Sequence, residues 1–187
     1  MEESKSMQSS VIKYSLIIAL ISIILSVLVY VVDESILTKW WYGLLSLLIA
    51  FGLYLYAGFG YRKEVGGFLE FKKAFLFIFL VAIVAGLVNL GWSLVQFNVI
   101  DTELGSRLQR QVIENTENMM ESFGAPEEQI EEQIEKLEAE DMFATGKLLQ
   151  QGLIFTVVGG AIFGLIIGAI IKKKKEAEPV SPGEKTD

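Results

Sequence analysis

The charges of this chain are crowded into some stretches and absent from others, which limits the folds that it can adopt. The 16 basic and 23 acidic side chains leave four long segments without any charge. These segments are Tyr14–Val32, Trp40–Tyr61, Ala74–Ile100 and Leu148–Ile171. A helix rises about 1.5 Å per residue and a bilayer core is about 30 Å thick, so each segment is long enough to cross it. The sequence therefore predicts a polytopic membrane protein and excludes a water-soluble enzyme.

The predicted fold is an all-α integral membrane four-helix bundle with an extracytoplasmic helical hairpin between spans three and four. We place the spans at residues 14–32, 40–61, 74–97 and 148–171. Outside them lie a polar N-terminal segment (1–13), an acidic insert (101–147) and a tail that is basic and then disordered (172–187). The first apolar run is longer than that of a signal peptide and lacks a small-residue cleavage site, so we expect a retained anchor.

Lysine and arginine are unequally divided between the two sides of these spans. Eleven of the 16 lie on the side of the two termini and five on the side of the insert. Because basic loops tend to stay in the cytoplasm, we expect both termini to be cytoplasmic.

Aromatic residues flank the predicted spans. We interpret Tyr30 and the Trp40–Tyr42 cluster as an outer interfacial belt, and Tyr14, Tyr54, Tyr56 and Tyr61 as an inner one. Amphipathic rings favour the headgroup level of a bilayer.

The chain has neither cysteine nor histidine, and its net charge is −7. Without these side chains it lacks disulfides, thiolate nucleophiles, imidazole metal ligands and a Ser-His-Asp triad. The negative charge argues against nucleic acid as a partner. We therefore expect no catalytic residue, no cofactor, no metal site and no nucleic acid.

The insert at 101–147 has the pattern of two amphipathic helices and carries 13 acidic and 4 basic residues. Apolar stripes are formed by Leu104, Leu108, Val112, Met119 and Phe123, and then by Ile130, Ile134 and Leu137. Gly124 and Pro126 separate the two halves, which predicts an antiparallel hairpin. Pairs Glu103–Arg107 and Arg110–Glu114 have the spacing of helical ion pairs. We interpret the acidic run Glu127–Asp141 as a solvated face rather than a calcium site.

Polar side chains are scarce inside the spans, and none of them is ionisable. Asn89, Ser93 and Gln96 follow one another at spacings of four and three on span three, so they share one helix face. Two interpretations stay open, a polar path through the bundle and hydrogen bonds to neighbouring helices.

Small residues recur every four positions along span four, at Gly152, Thr156, Gly160, Gly164 and Gly168. Such a stripe lets another helix backbone approach closely. We expect the four glycines to be helix-packing residues, either against a second small stripe on span one (Ser15, Ala19, Ser22 and Ser26) or in self-association of two chains.

The turn between spans two and three contains Gly66 and Gly67, which break the helix that precedes them. Phe68, Phe71 and Phe75 then recur at helical spacing and predict an interfacial start to helix three. Lys72 and Lys73 are explained by membrane orientation alone or by a site for anionic lipid.

Several of these features occur together in one group of bacterial membrane proteins. They are the four spans, the run Gly67–Phe75 entering span three, the run Val99–Asp101 leaving it, the acidic insert, and a glycine-rich last span that ends in Lys172–Lys175. In these features the chain resembles the family catalogued as domain of unknown function 4199, over roughly residues 10–175. The resemblance implies a bacterial inner membrane and a periplasmic insert, and it supplies no activity or catalytic residue.

These observations favour a non-enzymatic multi-pass membrane protein with a structural or interaction role. Its partners would be the lipid bilayer and a protein, or a second copy, that contacts the hairpin or span four. The alternative is a passive or oligomeric transporter subunit with Asn89, Ser93 and Gln96 facing the path. An enzyme comes third, because only Asp33, Glu34, Asp101 and Glu103 lie beside the membrane on the outer side, and nothing in the sequence orients them as a catalytic pair.

Overall fold

A computed structural model describes residues 2–174, with the backbone alone for residues 2–6. It contains the helices α1 (Glu2–Asp33), α2 (Trp40–Glu64), α3 (Phe71–Val95), α4 (Leu104–Ser122), α5 (Glu127–Ala139) and α6 (Thr145–Ile171). A short 3-10 turn, Glu34–Thr38, joins α1 to α2, and a π-turn, Gln96–Ile100, extends α3. The all-α prediction is confirmed. From residue 175 on, the tail predicted to be disordered lies outside the described residues.

Among the described residues, four helical segments have the length and apolar composition needed to cross a bilayer. They are Met7–Thr38, Trp40–Glu64, Phe71–Ile100 and Thr145–Ile171. A helix satisfies its own backbone hydrogen bonds, which is the condition for crossing lipid. The chain therefore has the architecture of a multi-pass membrane protein. We call the end of the bundle near residues 7–13, 62–73 and 172–174 the termini side, and the other end the insert side.

Helix α3 lies at the centre of the bundle. It packs along α6 and against α1, whereas α2 makes smaller contacts with its neighbours. Deeply buried side chains towards the termini side include Tyr61, Phe77 and Ile171, and Leu104 is equally buried on the insert side. The Tyr61 and Phe77 rings stack with their centroids 4.0 Å apart.

The aromatic interpretation is wrong for two of the inner tyrosines. Tyr61 and Tyr14 are both buried, and the Tyr14 ring meets Phe77 edge-on at 6.0 Å. The Tyr14 hydroxyl donates to Glu64 at 3.1 Å, and Lys13 pairs with the same carboxylate at 2.8 Å. Both rings face the core, and the Tyr14 hydroxyl finds its partner inside the protein, so neither ring faces the lipid as a belt residue does.

The glycine stripe of α6 packs against α3. A Cβ built on Gly160 would lie 3.1 Å from the Cβ of Ala82, and one on Gly168 would lie 3.1 Å from the backbone nitrogen of Phe75. Leu90 is the corresponding neighbour of Gly152 and Phe75 that of Gly164. This face of α6 is thus occupied within the chain.

The expected pairing of this stripe with the small stripe of span one is wrong. In α1, Ser15 is buried and its hydroxyl donates to the Val11 carbonyl at 2.6 Å and to the Val81 carbonyl of α3 at 3.2 Å. The glycine stripe of α6 and Ser15 of the span-one stripe therefore both contact α3. A stripe shows that a close approach is allowed, but it carries no information about which helix makes it.

Candidate functional site on the insert side

Four side chains from three segments meet on the insert side, and we call them the Arg107 cluster: Tyr30, Glu34, Asp101 and Arg107. The guanidinium of Arg107 donates to both carboxylate oxygens of Glu34 at 2.7 Å each. It also donates to both oxygens of Asp101, at 3.2 and 2.5 Å. The Tyr30 hydroxyl donates to Asp101 at 2.9 Å. Two bidentate pairs of this kind fix the direction of the guanidinium plane.

Local structure explains why these side chains meet. Asp33 caps the 3-10 turn by accepting from the Ser35 backbone N–H at 2.9 Å, and Glu34 is the first residue of that turn. The π-turn closes with the Asp101 N–H donating to the Gln96 carbonyl at 2.9 Å. Arg107 then follows in the first turn of α4. The ends of α1 and α3 and the start of α4 are thus tied together by one cation.

The cluster is held in its charged form. Hydrogen bonds from Arg107, assisted by one from Tyr30, lower the pKa of Asp101 to about 2. The bonds to Glu34 and Asp101 in turn raise the pKa of Arg107 above its already high ordinary value. Both groups are therefore charged at neutral pH, as in a structural ion cluster.

The sequence predicted a different partner for Arg107. Its spacing favoured Glu103, four positions earlier, whereas the structure pairs it with Glu34 and Asp101. The Glu103 prediction is wrong: two other carboxylates take four hydrogen bonds from the guanidinium, which offers five N–H groups in a fixed plane.

A second contact holds α4 further along its length. The amide of Asn115 donates to the Thr38 hydroxyl at 3.0 Å and accepts from the Lys39 ammonium at 3.4 Å. Asn115 lies two turns beyond Arg107, which is about 12 Å along a helix. Both contacts reach the segment that joins α1 to α2. Helix α4 therefore lies along that segment, across the end of the bundle.

Helix α5 is attached through Gln109 of α4. The side-chain amide of Gln109 donates to the carbonyls of Leu137 and Glu140 at 3.0 and 2.8 Å, and it accepts from the Met142 N–H at 3.3 Å. The start of α4 thus meets the end of α5. No residue of α5 is buried, and its apolar side chains Ile130 and Ile134 are half-buried.

A polar cleft of about 630 Å³ lies between α4, the end of α5 and the start of α6. Its lining includes the stacked pair Phe97 and Phe143, with centroids 5.4 Å apart. Gly105 permits Phe143 to approach α4 closely, because a Cβ on Gly105 would lie only 2.9 Å from the Cβ of Phe143. Charged groups at the cleft are Arg110, Glu138 and Asp141. The sequence did not indicate this cleft, because its walls come from separate helices.

The residues predicted for a polar path divide into two places. Asn89 and Ser93 line a groove of about 350 Å³ between α3 and α6, together with Gln151 and Thr156 of α6. The Asn89 amide donates to the Ala85 carbonyl of its own helix at 3.0 Å. Gln96 does not line this groove: it is 4% exposed and begins the π-turn. In an ideal α-helix these three residues would share one face, but the wider π-turn that begins at Gln96 ends that alignment.

The acidic residues of the insert stay apart. Within residues 2–174, no group of three or more acidic side chains is placed to hold a metal ion. Besides the ion pairs of the Arg107 cluster, the insert has pairs that join Lys136 to Glu132 and Lys147 to Glu140, both at 2.7 Å.

A family model described as protein of unknown function (DUF4199) matches residues 13–173. The chain belongs to this family. The matched part of this DUF4199 chain includes the first membrane-span candidate from residue 13 on, the other three candidates in full, the insert and the Arg107 cluster. The resemblance found in the sequence is thereby confirmed. No curated protein and no solved structure matches the chain.

Proposed function

We propose that this chain is a non-enzymatic protein of the bacterial inner membrane that binds a partner protein through its insert. One observation carries the proposal: α5 has no buried residue, yet its position is fixed through α4 by the Arg107 cluster and Gln109. Ordering an exposed helix costs conformational entropy that its own packing does not recover. A fixed and exposed helix is therefore suited to presenting a surface.

The chemistry of α5 indicates what kind of surface it would bind. Residues 127–141 carry eight acidic side chains and one lysine, and the acidic ones are exposed. Opposite charge steers encounter and selects partners more than it adds affinity. The proposed partner is thus a protein with a basic surface beside the membrane.

The state of the outer carboxylates supports a role without catalysis. Glu34 and Asp101, the candidates for an interfacial enzyme site, are both held by Arg107. A general acid needs a proton to give at working pH, and Asp101 with a pKa of about 2 has none.

The proposed orientation puts the termini side in the cytoplasm and the insert in the periplasm. Support comes from the eleven basic residues on the termini side against five on the insert side. Because the chain has no cysteine, single cysteines in place of Ser122 and Lys63 can be labelled selectively. A membrane-impermeant maleimide added to spheroplasts should label the first and spare the second; the reverse pattern would contradict this orientation.

Photo-crosslinking tests the function. A photoreactive amino acid in place of Glu131 or Glu135, on the exposed side of α5, should give one shared adduct with a second protein in native membranes. Leu47 is the matched control, since it is exposed on α2 within a membrane-span candidate. If the α5 positions gave only the adducts seen at Leu47, the proposal would fail. Loss of the shared adduct when Glu127, Glu128 and Glu138 are changed to Gln in the same photoreactive chains would establish that charge selects the partner.

The second candidate is a passive or oligomeric transporter subunit, favoured by the polar groove at Asn89 and Ser93. Glycerol permeation into liposomes, followed by light scattering, provides the assay. If the groove conducts solute, Asn89→Leu abolishes the permeation while Leu87→Ala, on the lipid-exposed side of the same helix, preserves it. Equal permeation in all three proteins would exclude this candidate.

A further inference from the structure

The termini side of the bundle concentrates positive charge next to exposed aromatic rings. Here the chain leaving α6 pairs with the loop before α3: the backbone N–H groups of Leu69 and Lys173 each donate to the other's carbonyl at 2.8 Å. Gly66 and Gly67 make this loop possible, since both have φ near +85° (86° and 85°), where a Cβ would be strained. Helix α3 begins only at Phe71, so the predicted helical start at Phe68 is wrong.

This pairing brings lysines of the last segment onto phenylalanines of the loop. The Lys172 ammonium lies 5.9 Å from the centre of the Phe71 ring, and that of Lys173 lies 5.7 Å from the Phe68 ring. The rings themselves are 40% and 42% exposed. We call these four residues, together with Lys72, the basic shelf.

The cations of the basic shelf lack negative partners in the described structure. Among side chains 7–13, 62–73 and 172–174, eight are basic and only Glu64 and Glu70 are acidic. Lys13 takes Glu64. None of the described carboxylates lies within ion-pair distance of Lys72, Lys172 or Lys173. The shelf thus has charge to offer to an external anion.

We propose that the basic shelf binds the phosphate of an anionic phospholipid in the leaflet on the termini side. It lies where α3 enters and α6 leaves the proposed bilayer, at the height of the headgroups. Clusters of lysine at this height attract acidic lipids, and aromatic rings favour the same level. The exposed rings of Phe68 and Phe71 select a lipid over soluble phosphate, because acyl chains can pack on them and an inorganic ion cannot.

The shelf is separated from the insert by the full length of the spans. Its role therefore does not rest on the partner proposed for α5, and either proposal can fail without the other. Arg62 helps to position the basic shelf. Its guanidinium donates to the Ile171 carbonyl at 3.1 Å and fixes the point at which the chain leaves α6.

Lipid retention measured by native mass spectrometry tests the proposal. The purified full chain is taken from nanodiscs of mixed phosphatidylcholine and phosphatidylglycerol, and the bound lipids are counted after transfer to detergent. We expect preferential retention of phosphatidylglycerol by the wild type. The double variant Lys172→Gln/Lys173→Gln should bind it about thirtyfold more weakly, as expected when two lysines near a membrane surface are lost. Lys136→Gln/Lys147→Gln removes the same charge from the insert side and should match the wild type.

Two further variants distinguish the effects of lysine charge and of ring packing on lipid binding from a loss of folded structure. Lys172→Arg/Lys173→Arg keeps the charge and should keep the lipid; loss of lipid in this variant would overturn the proposal. Phe68→Ala/Phe71→Ala should weaken retention because acyl chains pack on the rings, and unchanged retention would overturn their part in the site. Displacement of phosphatidylglycerol by inorganic phosphate at equal concentration, or equal retention by wild type and Lys172→Gln/Lys173→Gln, would also overturn it.

Discussion

Arg107 donates two hydrogen bonds of 2.7 Å to Glu34, a residue 73 positions earlier in the chain. The same guanidinium holds Asp101, so that one side chain of the insert joins the ends of two membrane-span candidates. Together with the bond from Asn115 to Thr38, this contact holds α4 across the end of the bundle. Helix α5 is held in turn, because Gln109 of α4 binds its last turn.

Removing the central cation should loosen the insert. In Arg107→Gln, Glu34 and Asp101 face each other with their charges uncompensated, which is unfavourable for partly buried carboxylates. We expect amide exchange in α4 and α5 to accelerate several-fold more than exchange in α3. Lys136→Gln, which removes an exposed pair with Glu132, should leave exchange in α4 unchanged because such pairs contribute little. Equal protection of α4 in both variants would show that Arg107 does not hold it.

The cluster should also confer a defined pH dependence. The pKa of Asp101 is about 2 in the folded chain, below the ordinary value of about 3.9 that applies when the chain is unfolded. Its contribution to stability is therefore complete above about pH 4 and is lost as the pH falls towards 2. Thermal unfolding followed by circular dichroism should show a drop in Tm over this window, and the drop should be smaller in Asp101→Asn. A drop of the same size in that variant would assign the effect to other carboxylates.

The contact between α6 and α3 depends on the absence of a side chain at Gly168. A Cβ at this position meets backbone atoms of Phe75 at 3.1 and 3.2 Å, and backbone cannot rotate away. Gly168→Leu should lower the free energy of unfolding by about 1–3 kcal/mol, as overpacking does. Gly159→Leu is the matched control, because nothing lies within 4 Å of a Cβ there. Reversible unfolding in mixed micelles measures both, and equal stabilities would place the α3 contact elsewhere on α6.

The sequence predicted four apolar helices long enough to cross a bilayer, because that signal is local. A run without charge such as Trp40–Tyr61 satisfies the requirement for crossing lipid by itself. Apolar residues spaced along one helix face, such as Leu104 and Leu108, likewise marked the side of α4 that the structure buries. Each of these inferences needs only residues that are neighbours along the chain.

The candidate site was harder to predict because its residues are distant along the chain. In the sequence, Glu34 and Asp101 stood out only as carboxylates beside the membrane. Local spacing predicted an ion pair of Arg107 with Glu103 instead. The one signal that would have brought them together is topological: the ends of spans one and three lie on the same side. The π-turn that begins at Gln96 could not be predicted either, because residue spacing was interpreted on a uniform α-helix.

The most direct test of the account is whether the insert is held at a fixed position on the bundle. Because the chain has no cysteine, spin labels can be placed at Glu131→Cys and Leu47→Cys, two exposed positions on α5 and α2. Pulsed electron–electron double resonance in nanodiscs should give one narrow distribution of the distance between the two labels. This distribution should broaden when Arg107→Gln is added. A broad distribution already present with Arg107 in place would contradict the claim that its cluster holds α5 in position.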